Sequence, residues 1–381
     1  MPVDLYSSAL VALVVVLAGI IGIRSGISTP ILEVTAGIIL GNFLGVGIEP
    51  WLDFLGTFGG LALTFLAGTE IDLTMLGNKM KKQSITLGTI AFIVPLFAEM
   101  LFLKAVTDWS LLAILAIGLA LTATAVAVVY TLLLETGFLE THVSRLILAT
   151  VFVNDFLTLV GINLIAHEFN QYTIIFFLTI ILIIFSLPKL LEYLVHNYGK
   201  RSAEIELRFV FAVLLAISFL ADAGRMQAIF GAFILGLVFS HSIHSYQDIL
   251  PTLRSITFSL LSPAFFIRAG LLISLPAVMQ NLVLIMGLLA VKILSKFLGT
   301  YPLCKRWIPE APVFSTMLFS TGLTIGIITL TFGKSAGYLN QAQFSIAMIS
   351  VIMSALIPTI IARKFTPKSL GPSSFAESKG P

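Results

Sequence analysis

Asn154 and Asp155 stand side by side in the apolar stretch 143–166, VSRLILATVFVNDFLTLVGINLIA. That stretch is one membrane-spanning helix long, about 20 residues. Asp155 falls half-way along it, which predicts a carboxylate near the middle of a bilayer. A charge there costs about 2.5–3.5 kcal/mol on insertion scales, so it marks an ion path, a proton relay or a buried ion pair. A carboxylate can hold a proton or a metal cation. Asn154 can only donate and accept hydrogen bonds, so Asp155 is the titrating member of the pair. Thr158 lies one turn further on and faces the same way. Its hydroxyl can ligate an ion beside the carboxylate or bond back to its own helix.

Two further stretches carry hydroxyls and glycines at mid-depth. LTATAVAVVYT (121–131) holds Thr122 and Thr124; FSTGLTIGIITLTFG (319–333) holds Thr321, Gly322, Thr324 and Gly326. Small and hydroxyl residues let helices pack closely. They also suit helices that break, whose freed carbonyl and amide ends can meet a cation. Their matching places in the two halves of the chain favour the second reading. Other charges interrupt the apolar runs. Glu70 and Asp72 end the stretch 56–74; Glu70 is the deeper, and is either a solvated end, part of an inner vestibule or a group that reaches the ion. Arg268 interrupts SPAFFIRAGLLISL, deep enough to call for a buried partner although it is long enough to snorkel. Lys292 and Lys296 are one turn apart in AVKILSKFLGT. Either can pair with a carboxylate or compensate for an empty ion site, and Lys296 can also snorkel. His241 and His244 have helical spacing, but no further ligand completes a metal site nearby, so solvated residues are the default.

The elements that must position these residues are apolar helices. Of 381 residues, 58% are hydrophobic and 11% charged; a soluble domain carries about 25% charged residues. The chain reads as an all-α polytopic membrane protein without room for a large soluble domain. One cysteine, Cys304, excludes an intrachain disulfide and fits no redox motif. The start, MPVDLYSSAL, lacks a basic n-region and reads as the first helix rather than a signal peptide. Breaks at Gly, Pro and charge give thirteen candidate spans: 7–23, 30–47, 56–74, 84–104, 110–134, 143–166, 172–190, 207–222, 226–242, 256–274, 277–299, 312–333 and 341–362. With the N-terminus outside, the inner segments and C-terminus hold 17 of 22 basic residues, the bias the positive-inside rule expects for thirteen spans with the C-terminus in the cytoplasm. TFLAGTEIDL (64–73) aligns with FIRAGLLISL (266–275) at an offset of 202, which also sets Leu121-Thr122 on Leu323-Thr324. A repeat of spans 1–6 by spans 8–13 across the odd span 7 would be inverted in the membrane, a common transporter plan. Residues 1–363 thus read as one transmembrane domain, with 364–381 a polar, disordered cytoplasmic tail.

The motifs together resemble the monovalent cation:proton antiporters, in the branch of sodium/proton and Kef-type potassium/proton antiporters. The matching stretches are PILEVTAGIILG (30–41), LTFLAGTEIDL (63–73), LTATAVAVVYTLL (121–133), LATVFVNDFLTLV (148–160), FGAFILGLVFS (230–240), SPAFFIRAGLLI (262–273) and SKFLGT (295–300), in the family's order. The resemblance implies thirteen helices, inverted repeats, crossed broken helices at spans 5 and 12, and a dimerisation domain beside a mobile core. It places the family's ion-binding aspartate on Asp155. Some members carry a second aspartate where this chain has Asn154, paired with a lysine whose place looks like Lys296. Members with Asn before Asp tend to exchange one cation for one proton. In some of them a glutamate of the third helix, here Glu70, helps hold the ion. Arg268 departs from the family pattern and suggests charge balance in the core. Kef-type proteins usually carry a cytoplasmic nucleotide-binding domain, and no such sequence follows here.

These observations predict a homodimeric antiporter of the plasma or inner membrane. It would exchange sodium, or else potassium or lithium, for a proton at Asp155, with Asn154, Thr122, Thr124, Thr158 and Glu70 nearby. No cofactor is expected beyond the transported cation. A passive cation channel and a sodium-coupled organic-anion symporter on a related fold are the competing readings. An enzyme is not expected, since no zinc H-E-x-x-H, Ser–Lys dyad or paired intramembrane aspartates occur.

Overall fold

The computed structural model describes residues 5–25, 27–69, 77–136, 138, 141–165, 171–198, 205–224, 226–242 and 249–366. Glu70, Asp72, His244 and the tail from 367 lie outside the described residues, as does the side chain of His241. Among the described residues all regular structure is helical. Each of the thirteen apolar stretches falls on one helix or on an interrupted pair. Among the described residues eight helical segments are long and apolar enough to cross a membrane singly, and shorter apolar helices accompany them.

The chain divides into two compact units, Met1–Asp72 with Ala166–Ile273, and Leu73–Ile165 with Ser274–Pro381. The first unit holds α1 (Leu5–Ser25), α2 (Thr29–Phe43), α3 (Pro50–Thr69), α8 (Gln171–Tyr198), α9 (Ile205–Ala223), α10 (Ala228–Ser242), α11 (Ile249–Ile256) and α12 (Ser262–Leu271). A turn of π-helix, Thr257–Leu261, joins α11 to α12. Pro263 follows it after one intervening residue, and the amide that proline lacks is one cause of such a local slip. Phe65, Phe176, Leu214, Ile217 and Phe239 fill the core of this unit.

Two helix pairs in the first unit meet glycine to glycine. On α2 and α12, a Cβ at Gly37 would lie 2.2 Å from Ile267 O, and one at Gly270 would lie 2.2 Å from Val34 O. On α3 and α10, a Cβ at Gly68 would lie 2.5 Å from Phe233 O, and one at Gly236 would lie 2.1 Å from Phe65 O. No side chain fits between these backbones, the close approach that small residues permit in membranes.

Arg268 belongs to this unit too. Its Nε donates to Asp53 Oδ1 at 2.7 Å, and its terminal nitrogen lies 2.7 Å from the same oxygen. The partner of Arg268 is thus an acid on the first turn of α3, and both belong to the first unit, whereas Asp155 belongs to the second.

The second unit holds α4 (Asn78–Val106), α5 (Leu111–Thr122), α6 (Val126–Glu135), α7 (His142–Ile165), α13 (Leu275–Gln280), α14 (Leu282–Trp307), α15 (Pro312–Ser320), α16 (Thr324–Ser335) and α17 (Gln341–Lys364). Val129, Leu133, Phe138, Phe314 and Phe319 pack in its core. Two of its spans break for three residues, α5 at residues 123–125 before α6, and α15 at residues 321–323 before α16. The breaks correspond at an offset of 198, since 320 less 122 and 324 less 126 both give 198. The offset of 202 that suits spans 3 and 10 is thus one helical turn out of register here.

Candidate functional site

Nothing in ALTATAVA forbids a helix, since alanine is the best helix former. The break after Thr122 is imposed by neighbours that take over the backbone bonds. Asp155 Oδ1 accepts the Thr124 amide at 3.0 Å. Asn154 Nδ2 donates to Thr122 O and to Thr124 Oγ1, each at 3.0 Å. Since Thr122 O can only accept, the nitrogen of the Asn154 amide must face it. Lys296, reaching in from α14, donates to Thr122 O at 2.6 Å and to Phe319 O at 2.7 Å. Its Nζ is also 3.3 Å from Thr124 Oγ1. Thr122 O and Phe319 O are carbonyls at the ends of α5 and α15, where a helix has unpaired acceptors and a partial negative charge. The ammonium of Lys296 thus meets two negative helix ends, while the carboxylate of Asp155 meets an amide just before the positive end of α6.

The second break is built alike. Thr321 Oγ1 donates to Leu318 O at 2.7 Å and closes α15. Gly322 is needed for space: a Cβ there would lie 2.2 Å from Lys292 Nζ and 2.8 Å from Ala123 O. Lys292 Nζ donates to Ser354 Oγ at 2.8 Å and to Ala123 O at 3.4 Å. Gly326, in the first turn of α16, comes as near: its Cβ would be 2.9 Å from Ala120 O. Thr324 begins α16. The two interrupted helices therefore cross at their breaks, pinned by lysines one turn apart on α14.

Thr158 donates to Asn154 O at 3.0 Å, the back-bond to its own helix, and its hydroxyl lies 3.1 Å from that of Thr122. The sequence left both roles open, and the structure shows the bond to the helix. Asn154, Asp155, Thr122, Thr124, Thr158, Lys292, Lys296, Thr321 and Gly322 are all buried around the crossing. Two oxygens there are buried without a hydrogen-bond partner, Asp155 Oδ2 and Asn154 Oδ1. Buried acceptors are rarely left so. An acidic and a neutral oxygen on adjacent residues are ligands that suit a hard monovalent cation.

Residues 9–365 match the family described as sodium/hydrogen exchanger, transmembrane.

The chain belongs to this exchanger family.

Among relatives, it is similar to a Na(+)/H(+) antiporter of Enterococcus hirae, 26% identical over 372 residues that cover 91% of this chain and 93% of the relative. It is 24% identical to the Na(+)/H(+)-K(+) antiporter GerN of Bacillus cereus, over 92% of this chain and 93% of the relative. In fold it matches the sodium proton antiporter MjNhaP1 of Methanocaldococcus jannaschii, with a TM-score of 0.72 at 17% identity over the whole of both chains. The exchanger is thus an all-α polytopic membrane protein of the monovalent cation:proton antiporter family.

Two residues of the exchanger's site escaped the sequence reading. Ser354 on α17 holds Lys292, and a lone serine in an apolar helix gives little signal. Glu99 on α4 is fully buried with both carboxylate oxygens lacking a hydrogen-bond partner. Its signal was plain: it is an acid inside the apolar run 84–104, the same criterion that singled out Asp155.

Proposed function

We propose that the protein exchanges a monovalent cation, sodium foremost, for a proton, and that Asp155 binds one or the other but never both. The observation that carries this reading is the pair of unpartnered oxygens, Asp155 Oδ2 and Asn154 Oδ1, buried at the crossing. A proton on Oδ2 neutralises the carboxylate; a dehydrated cation does the same and takes that unpartnered oxygen as a ligand. Either occupant cancels the charge that would resist passage through an apolar barrier. Competition for one carboxylate then couples the fluxes one for one, and the exchange is electroneutral. The family and the named antiporter relatives point the same way. The whole crossing lies within one compact unit, which suits an elevator movement in which that unit carries the ion as a body. The distribution of basic residues supports an N-terminus outside and a C-terminus in the cytoplasm of a plasma or inner membrane. A homodimer follows from the family resemblance.

The test is proton movement in proteoliposomes with an imposed pH gradient, comparing native protein with Asp155→Asn. Sodium, lithium and potassium are added in turn, with the membrane potential clamped or free. Cation-triggered proton movement is expected from native protein and lost in the variant, at a rate the clamp does not change. Unitary currents without proton coupling, or sodium-driven uptake of an organic anion, would replace the reading with a channel or a symporter.

A further inference from the structure

Among the described residues the second unit buries four charged side chains: Asp155, Glu99, Lys292 and Lys296. Two lysines one turn apart repel each other, and both reach the break that Asp155 caps, Lys296 at Thr122 O and Lys292 at Ala123 O. With asparagine at 154, the carboxylate pair supplies only one negative charge against two ammonium groups. The other acid comes from a different helix. Glu99 is on α4, which packs against α14. It is wholly buried, and both of its carboxylate oxygens lack a hydrogen-bond partner. The packing sets it level with Lys292: a Cβ at Gly287 of α14 would lie 2.5 Å from Phe102 of α4, and one at Gly299 would lie 3.2 Å from Val94, so Glu99 falls between these contacts beside the middle of α14. Lys292 in turn is held by Ser354 Oγ and Ala123 O, in space that Gly322 leaves open. With all four groups charged the cluster sums to zero, and unpaired buried charge is costly.

We propose that Glu99 is the counter-ion of Lys292, and that by offsetting that charge it sets how strongly Asp155 holds both sodium and protons without touching either. Glu99 is then a positioning residue for the exchange, and the inference rests on Asp155 being the exchange site. On α4 itself the other charges are Lys79, Lys81 and Lys82 near its start and Lys104 in its last turn. Besides α14, the neighbours of α4 are α5 and α7. α5 has no ionisable residue, and α7 adds only Asp155 together with His142 and Arg145 at its first turn. The neighbours of α14 other than α4 are α13, α15 and α17. Of these, α13 and α15 have no ionisable residue, and the charges of α17 are Arg363 and Lys364 in its last turn. On α14 itself the remaining charges are Lys296, within the cluster, and Lys305 and Arg306 in the last turn.

The experiment measures sodium-linked proton movement in proteoliposomes across a pH series for native protein, Glu99→Gln and Glu99→Asp. In Glu99→Gln the ammonium of Lys292 is no longer offset. Sodium and protons are then both repelled from Asp155, so KM for sodium rises and the acid limb of the pH profile moves to lower pH. The expected size is on the order of tenfold in KM and about one pH unit, the effect of one unit charge roughly 10 Å away at an effective dielectric of about 20. Glu99→Asp keeps the charge and is expected to return both quantities toward native values. Native KM and pH profile in Glu99→Gln would overturn the proposal. If that variant does not fold, Glu99→Gln combined with Lys292→Gln removes both charges. Recovery of folded protein supports the pairing, and failure of the double variant to the same degree overturns it. Absence of sodium-linked proton movement in native protein would instead strike at the exchange reading itself.

Discussion

Replacing Gly322 by alanine tests the crossing where it is tightest. The new Cβ would lie 2.2 Å from Lys292 Nζ, 2.8 Å from Ala123 O and 3.0 Å from Ser354 Oγ. The ammonium is the end of a flexible chain and can retreat, but it then gives up its bonds to Ser354 and Ala123. A hydrogen bond to a charged group contributes about 1.5–3 kcal/mol. Ala123 O is backbone in the facing break and has to move by several tenths of an ångström, an overpacking cost of about 1–3 kcal/mol. Alanine recovers about 0.4–1 kcal/mol by restricting the unfolded chain. The net loss is about 2–5 kcal/mol, which at about 2–4 °C per kcal/mol lowers the melting temperature by roughly 4–20 °C. The assay is thermal unfolding in detergent followed by tryptophan fluorescence, with Gly77→Ala as control. Gly77 has nothing within 4 Å of its would-be Cβ and a φ of −64°. A Gly322→Ala protein that melts within about 2 °C of native would refute the close contact and the reasoning built on it.

Asn154→Ala is expected to destabilise the protein by about 1–3 kcal/mol, because Thr122 O and Thr124 Oγ1 each lose a buried donor. Equilibrium unfolding with native stability would contradict those two bonds. Asp53→Asn is expected to cost no more than about 1 kcal/mol, since Asp53 is 54% exposed and half-solvated ion pairs contribute little. It is expected to leave sodium-linked proton movement intact, because Asp53 and Asp155 lie in different units; a large loss of exchange would tie Arg268 to transport after all.

What the sequence makes legible follows from contrast. Asn154, Asp155, Thr122, Thr124 and Lys296 are polar groups in an apolar background, and the structure brings them together at one crossing. The break itself is barely written locally, because alanines on both sides of Thr124 favour continuing the helix and the interruption comes from α7 and α14. That is why the repeat offset taken from the better-matched spans 3 and 10 misses the breaks by one turn. The partner of Arg268 lies 215 residues away in sequence, at the start of a helix where an acid is unremarkable. Glu99 was visible by the same contrast as Asp155, but it has no neighbouring asparagine or threonine to draw notice.

Lys296 reaches two helix ends with one ammonium. In effect it is a monovalent cation on a leash of four methylenes. Its concentration at those carbonyls is fixed by the length of the side chain and not by the composition of the solution. The ends of α5 and α15 therefore keep their counter-charge in any salt, whereas a cation at Asp155 has to come from the water on one side of the membrane. In the proposed exchange the crossing holds one resident cation and receives one visitor, and only the visitor counts as cargo.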